Sequence, residues 1–147
     1  MLGGGPGPDP ARDLAAGRPT AESGHNDVYG VSNLVDGNQN TYWEGVNNTF
    51  PQWAQVDLGS AQSVSRVVLQ LPAGWGARNQ TLTVAGSTNG SSWTTVKDAA
   101  SYAFNPSANN TVTITFAATT QRYLRVTVTA NSGWPAAQLS GLQVWTS

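Results

Sequence analysis

Apolar and polar residues alternate with a period of two along most of the chain after residue 54. In the segment 111–116, for example, Val112, Ile114 and Phe116 alternate with three threonines. Such alternation is typical of antiparallel strands that bury one face and expose the other. The same pattern, in full or shorter runs, predicts strands at Ala54–Leu58, Arg66–Leu71, Thr81–Gly86, Trp93–Lys97, Thr111–Phe116, Arg122–Thr129 and Leu139–Trp145.

Seven or eight short strands joined by polar turns predict an all-β fold, an antiparallel β-sandwich. Asn89-Gly90 lies between two of the runs and predicts a hairpin, because both residues tolerate a positive φ. No segment keeps a helical period for ten residues, and Ser32–Val35 is expected to form a single turn. The chain has no internal repeat, which excludes solenoids and propellers.

The composition excludes several classes of protein. Only 10% of the 147 residues are charged, the net charge is −1, and Lys97 is the one lysine. A nucleic-acid partner needs a basic patch, so this charge balance argues against one. The chain has no cysteine, which excludes a disulfide scaffold, a zinc finger and a thiol nucleophile. No run approaches the ~18 consecutive apolar residues that a membrane span needs.

One domain is expected, because the length falls within the usual range of about 100–200 residues. Residues 1–12 are mostly glycine and proline and are interpreted as a linker stub, which leaves a module over residues 13–147. Long loop-like segments run from Thr20 to Phe50, from Pro72 to Gln80 and from Ala130 to Gln138. Loops on a rigid sandwich commonly carry the binding residues.

Two tryptophans lie in glycine-flanked loops, Trp75 and Trp134. Glycine neighbours cannot bury an indole, so each ring either packs on the sandwich or stays exposed, and both alternatives remain open. An exposed indole suits the flat apolar face of a sugar ring. Polar and aromatic loop residues could add hydrogen bonds and a further ring. The predicted ligand contacts are His25, Asn26, Tyr29, Trp75, Arg78, Asn79 and Trp134.

The other tryptophans adjoin or begin the predicted strands. We expect Trp43, together with Tyr42, Trp53 and Trp93, to lie in the core. Trp145 ends the last strand and is expected to be half buried.

Residues suited to catalysis are few. His25 has no G-x-S-x-G segment to supply a nucleophile, so a catalytic triad is disfavoured. Glycoside hydrolysis needs two carboxyl groups about 5–10 Å apart in a cleft. The candidates are Asp27, Asp36, Glu44 and Asp57, but Asp57 stands at a strand end, where a structural cap is favoured. A binding role is therefore preferred to a glycosidase.

The segment 33–41 collects oxygen-bearing side chains around a turn glycine, Gly37. Calcium takes six to eight oxygen ligands, and one carboxylate, Asp36, is few for such a site. Taken alone, the segment predicts an Asx-rich turn.

The order of several motifs resembles the discoidin (coagulation factor type C) domain over residues 13–146. The motifs lie at residues 13–19, 33–37, 41–43, 52–59, 86–93 and 122–126. The resemblance implies a jelly-roll-like sandwich and, in bacteria, a family 32 carbohydrate-binding module attached to a glycoside hydrolase or lyase. It also implies a structural Ca²⁺ held by Asn33, Asp36, Asn38 and Thr41. The chain departs from the family at Gly141, where an acidic residue commonly contributes to the calcium site.

We therefore expect a secreted, non-catalytic module that tethers a polysaccharide-degrading enzyme to its glycan. A glucan is the first expectation and a galactoside the second, since two spaced indoles suit the equatorial faces of an extended chain. The expected partners are the polysaccharide and a catalytic domain in cis. A monomer without nucleic-acid or membrane partners is expected. The alternative is an adhesion module that binds a membrane surface or a protein, which the scarcity of lysine disfavours.

Overall fold

The computed structural model describes residues 12–146, so most of the expected linker over residues 1–12 lies outside the described residues. Antiparallel strands dominate this part of the chain, as expected. Short 3-10 helices occupy Val31–Leu34, one residue before the expected turn, and Pro106–Ala108. The strands are β1 Thr20–Glu22, β2 Trp43–Glu44, β3 Gln52–Gln70, β4 Arg78–Ser87, β5 Thr94–Phe104, β6 Thr111–Asn131, β7 Gln138–Leu139 and β8 Gly141–Trp145.

Strands β3 and β6 each contribute to both layers of the sandwich. The first half of β3 pairs with β1 and with the second half of β6, and that sheet continues through β4 to β5. The second half of β3 pairs with the first half of β6 and with β8. Register shifts between Asp57 and Gln62 and between Val64 and Arg66 separate the two halves of β3. Each long strand therefore joins two of the runs that the alternation predicts separately, because bulges bend it without ending it.

The core lies between these layers and follows the predicted alternation. In the first half of β3, Ala54, Val56 and Leu58 point inward, and after the register shifts the inward positions become Val67 and Leu69. Apolar residues of β4, β6 and β8 meet them from the other strands. Trp43 is fully buried among them, as expected.

Trp53 and Trp93 are not core residues, contrary to the prediction. Both are half buried and enclose the guanidinium of Arg125, whose carbon lies 3.9 Å from the ring centroid of Trp53 and 4.1 Å from that of Trp93. The guanidinium also donates from Nε and Nη2 to Oε1 of Gln55, at 2.9 and 2.7 Å. The alternation places these side chains on the outer face of the sheet, where cation–π contacts stabilise a positive charge. Trp145 is half buried, as predicted, and packs against Arg66.

The hairpin predicted at Asn89-Gly90 is present between β4 and β5, but its connection spans residues 88–93. Gly90 has a φ of +79°, whereas Asn89 is not in the left-handed region. The side chain of Asn89 accepts bonds from the amides of Ser91 and Ser92, at 2.8 and 2.9 Å. An Asx-type turn therefore replaces the two-residue turn that the dipeptide favours.

Asp57 has the structural role that its position predicts. Its Oδ1 accepts the amide of Gly59 at 2.8 Å, and Arg122 donates to both carboxylate oxygens, at 2.8 and 3.0 Å. The bonded Arg122 guanidinium holds the pKa of Asp57 below its usual value. Asp57 therefore closes the turn after the first half of β3.

Candidate functional site

A groove of about 480 Å³ lies at the end of the sandwich where β6 ends and β4 begins. Its lining comes from the segments before β2, from loops 71–77 and 132–137, and from the strand residues beside them. The residues lining the groove are Tyr29, Tyr42, Glu44, Trp75, Gly76, Arg78, Trp134 and Gln138.

The two tryptophan loops are held in place by asparagines. The Asn110 side chain is fully buried and donates to the carbonyls of Pro72 and Trp75, both at 2.9 Å. Asn131 accepts the amide of Gly133 at 2.9 Å and donates to the carbonyl of Ala136, also at 2.9 Å. These hydrogen bonds hold the loop backbones in a fixed shape, so both tryptophans are carried on preorganised backbone.

Gly133 has a steric role beneath the second tryptophan loop. A Cβ atom at position 133 would lie 3.0 Å from the Cβ of Arg78. The glycine therefore allows this loop to approach Arg78 closely.

Aromatic rings form one wall of the groove. Tyr29 stacks on Tyr42 with ring centroids 4.5 Å apart and an interplanar angle of 15°. Trp75 is half buried and packs against the core, and the guanidinium carbon of Arg78 lies 5.0 Å from its ring centroid. Trp134 is 44% exposed. The sequence left open whether each of these two indoles packs on the sandwich or stays exposed. In the structure Trp134 is exposed, and Trp75 packs partly against the core.

A continuous chain of hydrogen bonds crosses the groove from Arg78 to Glu44. Nη1 of Arg78 donates to Oε1 of Gln138 at 2.6 Å, and Nε2 of Gln138 donates to Oε1 of Glu44 at 2.9 Å. Glu44 and Gln138 are direct cross-strand partners in the β2–β7 pair. Asn26 donates to the other carboxylate oxygen of Glu44 at 3.1 Å. The groove thus combines aromatic faces with one cationic and one anionic group.

Burial affects the ionisable groups of the groove in the expected directions. Desolvation lowers the pKa of the Arg78 guanidinium, which nevertheless remains protonated at neutral pH. Burial, together with the hydrogen bond and charge of Tyr29, raises the pKa of Tyr42, so its phenol is neutral. Both groups can therefore act as hydrogen-bond donors at physiological pH.

The structure brings together four of the seven predicted ligand contacts. Tyr29, Trp75, Arg78 and Trp134 line the groove. Of the others, Asn26 lies behind Glu44 and supports it.

The remaining two predicted contacts, His25 and Asn79, do not line the groove either. Nδ1 of His25 pairs with Glu22, whose other oxygen accepts the amide of Val31 at 2.9 Å, so the pair holds the 23–30 loop on β1. Asn79 is exposed, and its backbone amide donates to Ser132 Oγ at 2.9 Å.

Four residues that line the groove were not among the predicted ligand contacts: Tyr42, Glu44, Gly76 and Gln138. Tyr42 was expected in the core, but only its neighbour Trp43 is buried there. The sequence suggested Glu44 as a candidate catalytic carboxylate and not as a ligand contact. Gln138 interrupts an apolar run, between Ala137 and Leu139. A polar residue within an apolar run was the available signal, since buried amides need hydrogen-bond partners.

The predicted metal ligands form a compact turn. The hydroxyl of Thr41 donates to Oδ2 of Asp36 and lies 3.0 Å from the carbonyl oxygen of Asn38. The side-chain amide of Asn33 donates to the carbonyl of Tyr42 at 2.9 Å, and Oδ1 of Asn38 accepts the amide of Asn40. Carboxylate, hydroxyl and carbonyl oxygens from three residues thus converge, a donor set of the kind that Ca²⁺ takes.

The donor set contains few acidic groups. Within residues 12–146, no cluster of three or more His, Cys, Asp or Glu side chains could hold a metal. At position 141, a Cβ atom would lie 2.9 Å from Oε1 of Gln70, so an acidic side chain there would require Gln70 to move. A cation would therefore depend on Asp36, the Thr41 hydroxyl and the Asn38 carbonyl.

Comparison with known proteins identifies relatives of this architecture. Among curated protein sequences, none matches this chain significantly. Chitosan-binding module 2 of a chitosanase/glucanase from Paenibacillus sp. IK-5, solved with chitotriose, is 30% identical, with a TM-score of 0.73 over 90% of this chain and 99% of that one. The family 32 module of AlyQ, solved with 4,5-unsaturated mannuronic acid, is 27% identical, with a TM-score of 0.74 over 88% of this chain and 95% of that one.

A third structure shares the fold at lower identity. The family 32 module of C. perfringens NanJ, solved with galactose, is 20% identical, with a TM-score of 0.79 over 92% of this chain and 98% of that one. The sequence also matches the F5/8 type C domain over residues 19–141. The chain therefore belongs to the F5/8 type C domain family and has the fold of the family 32 carbohydrate-binding modules.

Proposed function

We propose that this chain is a non-catalytic carbohydrate-binding module that binds a glucose-configured polysaccharide in the groove. The observation that carries the proposal is the combination of exposed and half-buried aromatic rings with the Arg78–Gln138–Glu44 chain in one preorganised groove. Aromatic faces stack on the C–H patches of a sugar, while charged side chains accept and donate hydrogen bonds to its hydroxyls.

A glucan is the preferred ligand. The equatorial hydroxyls of glucose leave flat faces along an extended chain, and Trp75 and Trp134 lie on separate loops that line one groove. One cation and one anion balance the charge of the groove, which favours a neutral sugar. A galactoside is the second preference as ligand, because its axial hydroxyl projects from one face of the ring and hinders stacking of an indole on that face.

Chitosan is a further candidate ligand, suggested by the environment of Glu44. Glu44 is 7% exposed and lines the groove, and within residues 12–146 its carboxylate accepts side-chain hydrogen bonds from two neutral residues, Asn26 and Gln138. An ammonium group could pair with such a carboxylate, but the Arg78 guanidinium on the other side of Gln138 would repel it, so chitosan ranks below a neutral glucan. The chitosan-binding relative at 30% identity supports this candidate, and chitosan has the same equatorial backbone as a glucan.

The proposed role is to hold a secreted catalytic domain at its substrate. This chain aligns with 33% of a truncated AlyQ that contains a family 32 module and an alginate lyase domain. Linking a weak binding module to an enzyme raises the local substrate concentration without any new contact. Within residues 12–146, no helix has the length and apolarity to cross a membrane.

Membrane adhesion is the alternative expected from the sequence. Exposed valines lie on the loops, Val28 at 74% and Val46 at 40%. Binding to anionic lipid also needs several basic residues at the same surface. Arg78 is the basic residue lining the groove, which supports the glycan instead.

Calcium is proposed as a structural ion of the Asp36–Thr41 turn. The Asp36 carboxylate, the Thr41 hydroxyl and the Asn38 carbonyl would hold it. A cation there would replace the Thr41–Asp36 hydrogen bond by direct ligation of both oxygens. Its role would be to stabilise the segment that leads into Tyr42 and Glu44.

The test is titration calorimetry against trimers of glucose, glucosamine, galactose and mannuronate. A single groove on one to three rings should bind the glucose trimer with a Kd between about micromolar and millimolar. Trp134→Ala should abolish the signal, whereas Trp145→Ala, outside the groove, should retain it. Absence of binding to every sugar, together with binding to anionic vesicles, would overturn the proposal.

A further inference from the structure

Gln138 occupies an unusual position for an uncharged residue. It is 3% exposed, yet its side chain links the two charged groups of the groove, Arg78 and Glu44. In the described part of the chain, these two groups form no direct ion pair. A buried amide therefore stands where a salt bridge could otherwise form.

The orientation of this amide is fixed by its neighbours. Oε1 accepts from Arg78 and from Asn131, at 2.6 and 3.2 Å, and Nε2 donates to Glu44. A flipped amide would direct its NH₂ group at two donors and its oxygen at a carboxylate, so this assignment is the one that satisfies every group.

The backbone of Gln138 is fixed as well. The buried side chain of Gln80 donates to the carbonyl of Gln138 at 2.7 Å and accepts its amide at 3.0 Å. Gln138 is thus held at both ends, in a cross-strand pair with Glu44. Its position does not depend on a bound ligand.

The arrangement leaves hydrogen-bonding capacity for a ligand on both sides. Each oxygen of Glu44 receives one hydrogen bond within residues 12–146, and a carboxylate oxygen can accept a second. Arg78 uses Nε on the carbonyl of Gly76 and one Nη1 hydrogen on Gln138, which leaves its Nη2 group for a ligand. A direct Arg78–Glu44 pair would consume these positions.

We propose that Gln138 is the specificity-determining positioning residue of the groove, selecting neutral sugars over charged ones; this inference rests on the proposed function. A sugar hydroxyl can donate to Glu44 and accept from Arg78 at the same time. An ammonium group that pairs with Glu44 comes close to Arg78, and a carboxylate that pairs with Arg78 comes close to Glu44. Either charged ligand is therefore disfavoured by repulsion as well as by desolvation.

The experiment compares matched glucose and glucosamine trimers on the wild type and on Gln138→Glu, at a pH where the amine is charged. The wild type should bind the glucose trimer more tightly. Gln138→Glu adds a carboxylate beside Glu44 and a direct ion pair with Arg78. The ratio of the two Kd values should then shift by about tenfold or more toward glucosamine, because one added charge pair is worth at least ~1.4 kcal/mol in a desolvated site.

Gln138→Asn is the second variant, because it adds no charge to the groove. It therefore avoids the destabilisation that a second buried carboxylate in Gln138→Glu would cause. Its side chain is one methylene shorter and cannot reach both Arg78 and Glu44. Affinity for the glucose trimer should fall about tenfold, with the melting temperature of the module as the control for folding.

Three outcomes overturn the inference: a wild-type preference for the glucosamine trimer, an unchanged ratio in Gln138→Glu, or unchanged glucose binding in Gln138→Asn. In each of these cases glycan binding itself survives, so the carbohydrate-binding role stands, and the first outcome would only place chitosan before a glucan as the ligand. A wild type that binds neither trimer instead refutes the proposed function.

Discussion

The indole of Trp75 packs edge-on against the phenol ring of Tyr42, with centroids 4.6 Å apart and an interplanar angle of 68°. Through Tyr42 it is connected to Tyr29, so three rings form one rigid wall. Edge-to-face aromatic pairs contribute about 0.5–1.5 kcal/mol beyond their buried area. Trp75 therefore has a folding role that the exposed Trp134 lacks, and truncating the two rings should have different consequences.

Trp134→Ala should abolish glycan binding while changing the free energy of unfolding by less than about 0.5 kcal/mol, because the ring is largely exposed. Trp75→Ala should weaken binding and also cost about 2–3 kcal/mol, below the ~3–5 kcal/mol of a fully buried tryptophan. Denaturant unfolding and calorimetric titration on the same samples measure both quantities. A Trp134→Ala variant that is strongly destabilised, or that binds as the wild type does, would contradict this division of roles.

The Asp57–Arg122 pair predicts a pH dependence of stability. Because Arg122 lowers the pKa of Asp57 in the folded state, the pair stabilises the fold above the ordinary carboxyl pKa of about 3.9. This contribution is lost as the pH falls through the lowered folded-state pKa. Arg122→Gln should lower the free energy of unfolding at pH 7 only modestly, because water screens a pair whose arginine and aspartate side chains are 39% and 23% exposed.

The difference between the wild type and Arg122→Gln should narrow as the pH falls below the ordinary carboxyl pKa of about 3.9, because Asp57 then becomes protonated. Arg18→Gln is the matched control, because Arg18 lowers the pKa of Asp57 only through its more distant charge. Urea unfolding between pH 3 and pH 7 measures the three proteins. A constant difference across this range would show that Arg122 acts through packing and not through its charge.

Calcium removal tests the Asp36–Thr41 turn. An ion that binds only the folded state stabilises it by about 2.7 kcal/mol at a hundredfold excess over its Kd. A chelator should therefore lower the melting temperature of the wild type, and Asp36→Ala should melt at the lower temperature with or without chelator. An identical wild-type melt in calcium and in chelator would mean that the turn is stable through its own hydrogen bonds.

The absence of catalysis is a separate prediction. Incubation with glucans, galactans and aryl glycosides should release no reducing ends. The Asp57 carboxylate is hydrogen-bonded by Arg122, and the Asp36 carboxylate by the Thr41 hydroxyl of its own turn. Reducing-sugar assays over many hours measure this directly. Turnover that disappears in Asp27→Asn, Asp36→Asn or Glu44→Gln would identify a catalytic carboxylate and overturn the binding-module assignment.

The alternation of apolar and polar residues was enough to predict most of the strands. Neighbouring side chains of a strand point to opposite faces, so this pattern can be recognised within a short segment. It did not reveal that β3 and β6 each join two runs, since a bulge and a loop both interrupt an alternating pattern. It also assigned Trp53 and Trp93 to the core. Their partner, Arg125, lies far away along the chain and becomes a neighbour only when the sheet forms.

For the groove, glycine-flanked loops were a sufficient local signal for Trp75 and Trp134. Glu44 and Gln138 were missed as a pair because they are 94 positions apart and meet only through the β2–β7 pairing. His25 was also predicted as a ligand contact, but its ring pairs with Glu22 and does not line the groove. Local patterns thus predicted which tryptophan loops line the groove, whereas the strand pairing decided which polar side chains face it, since hydrogen-bond partners depend on distances in space and not along the chain.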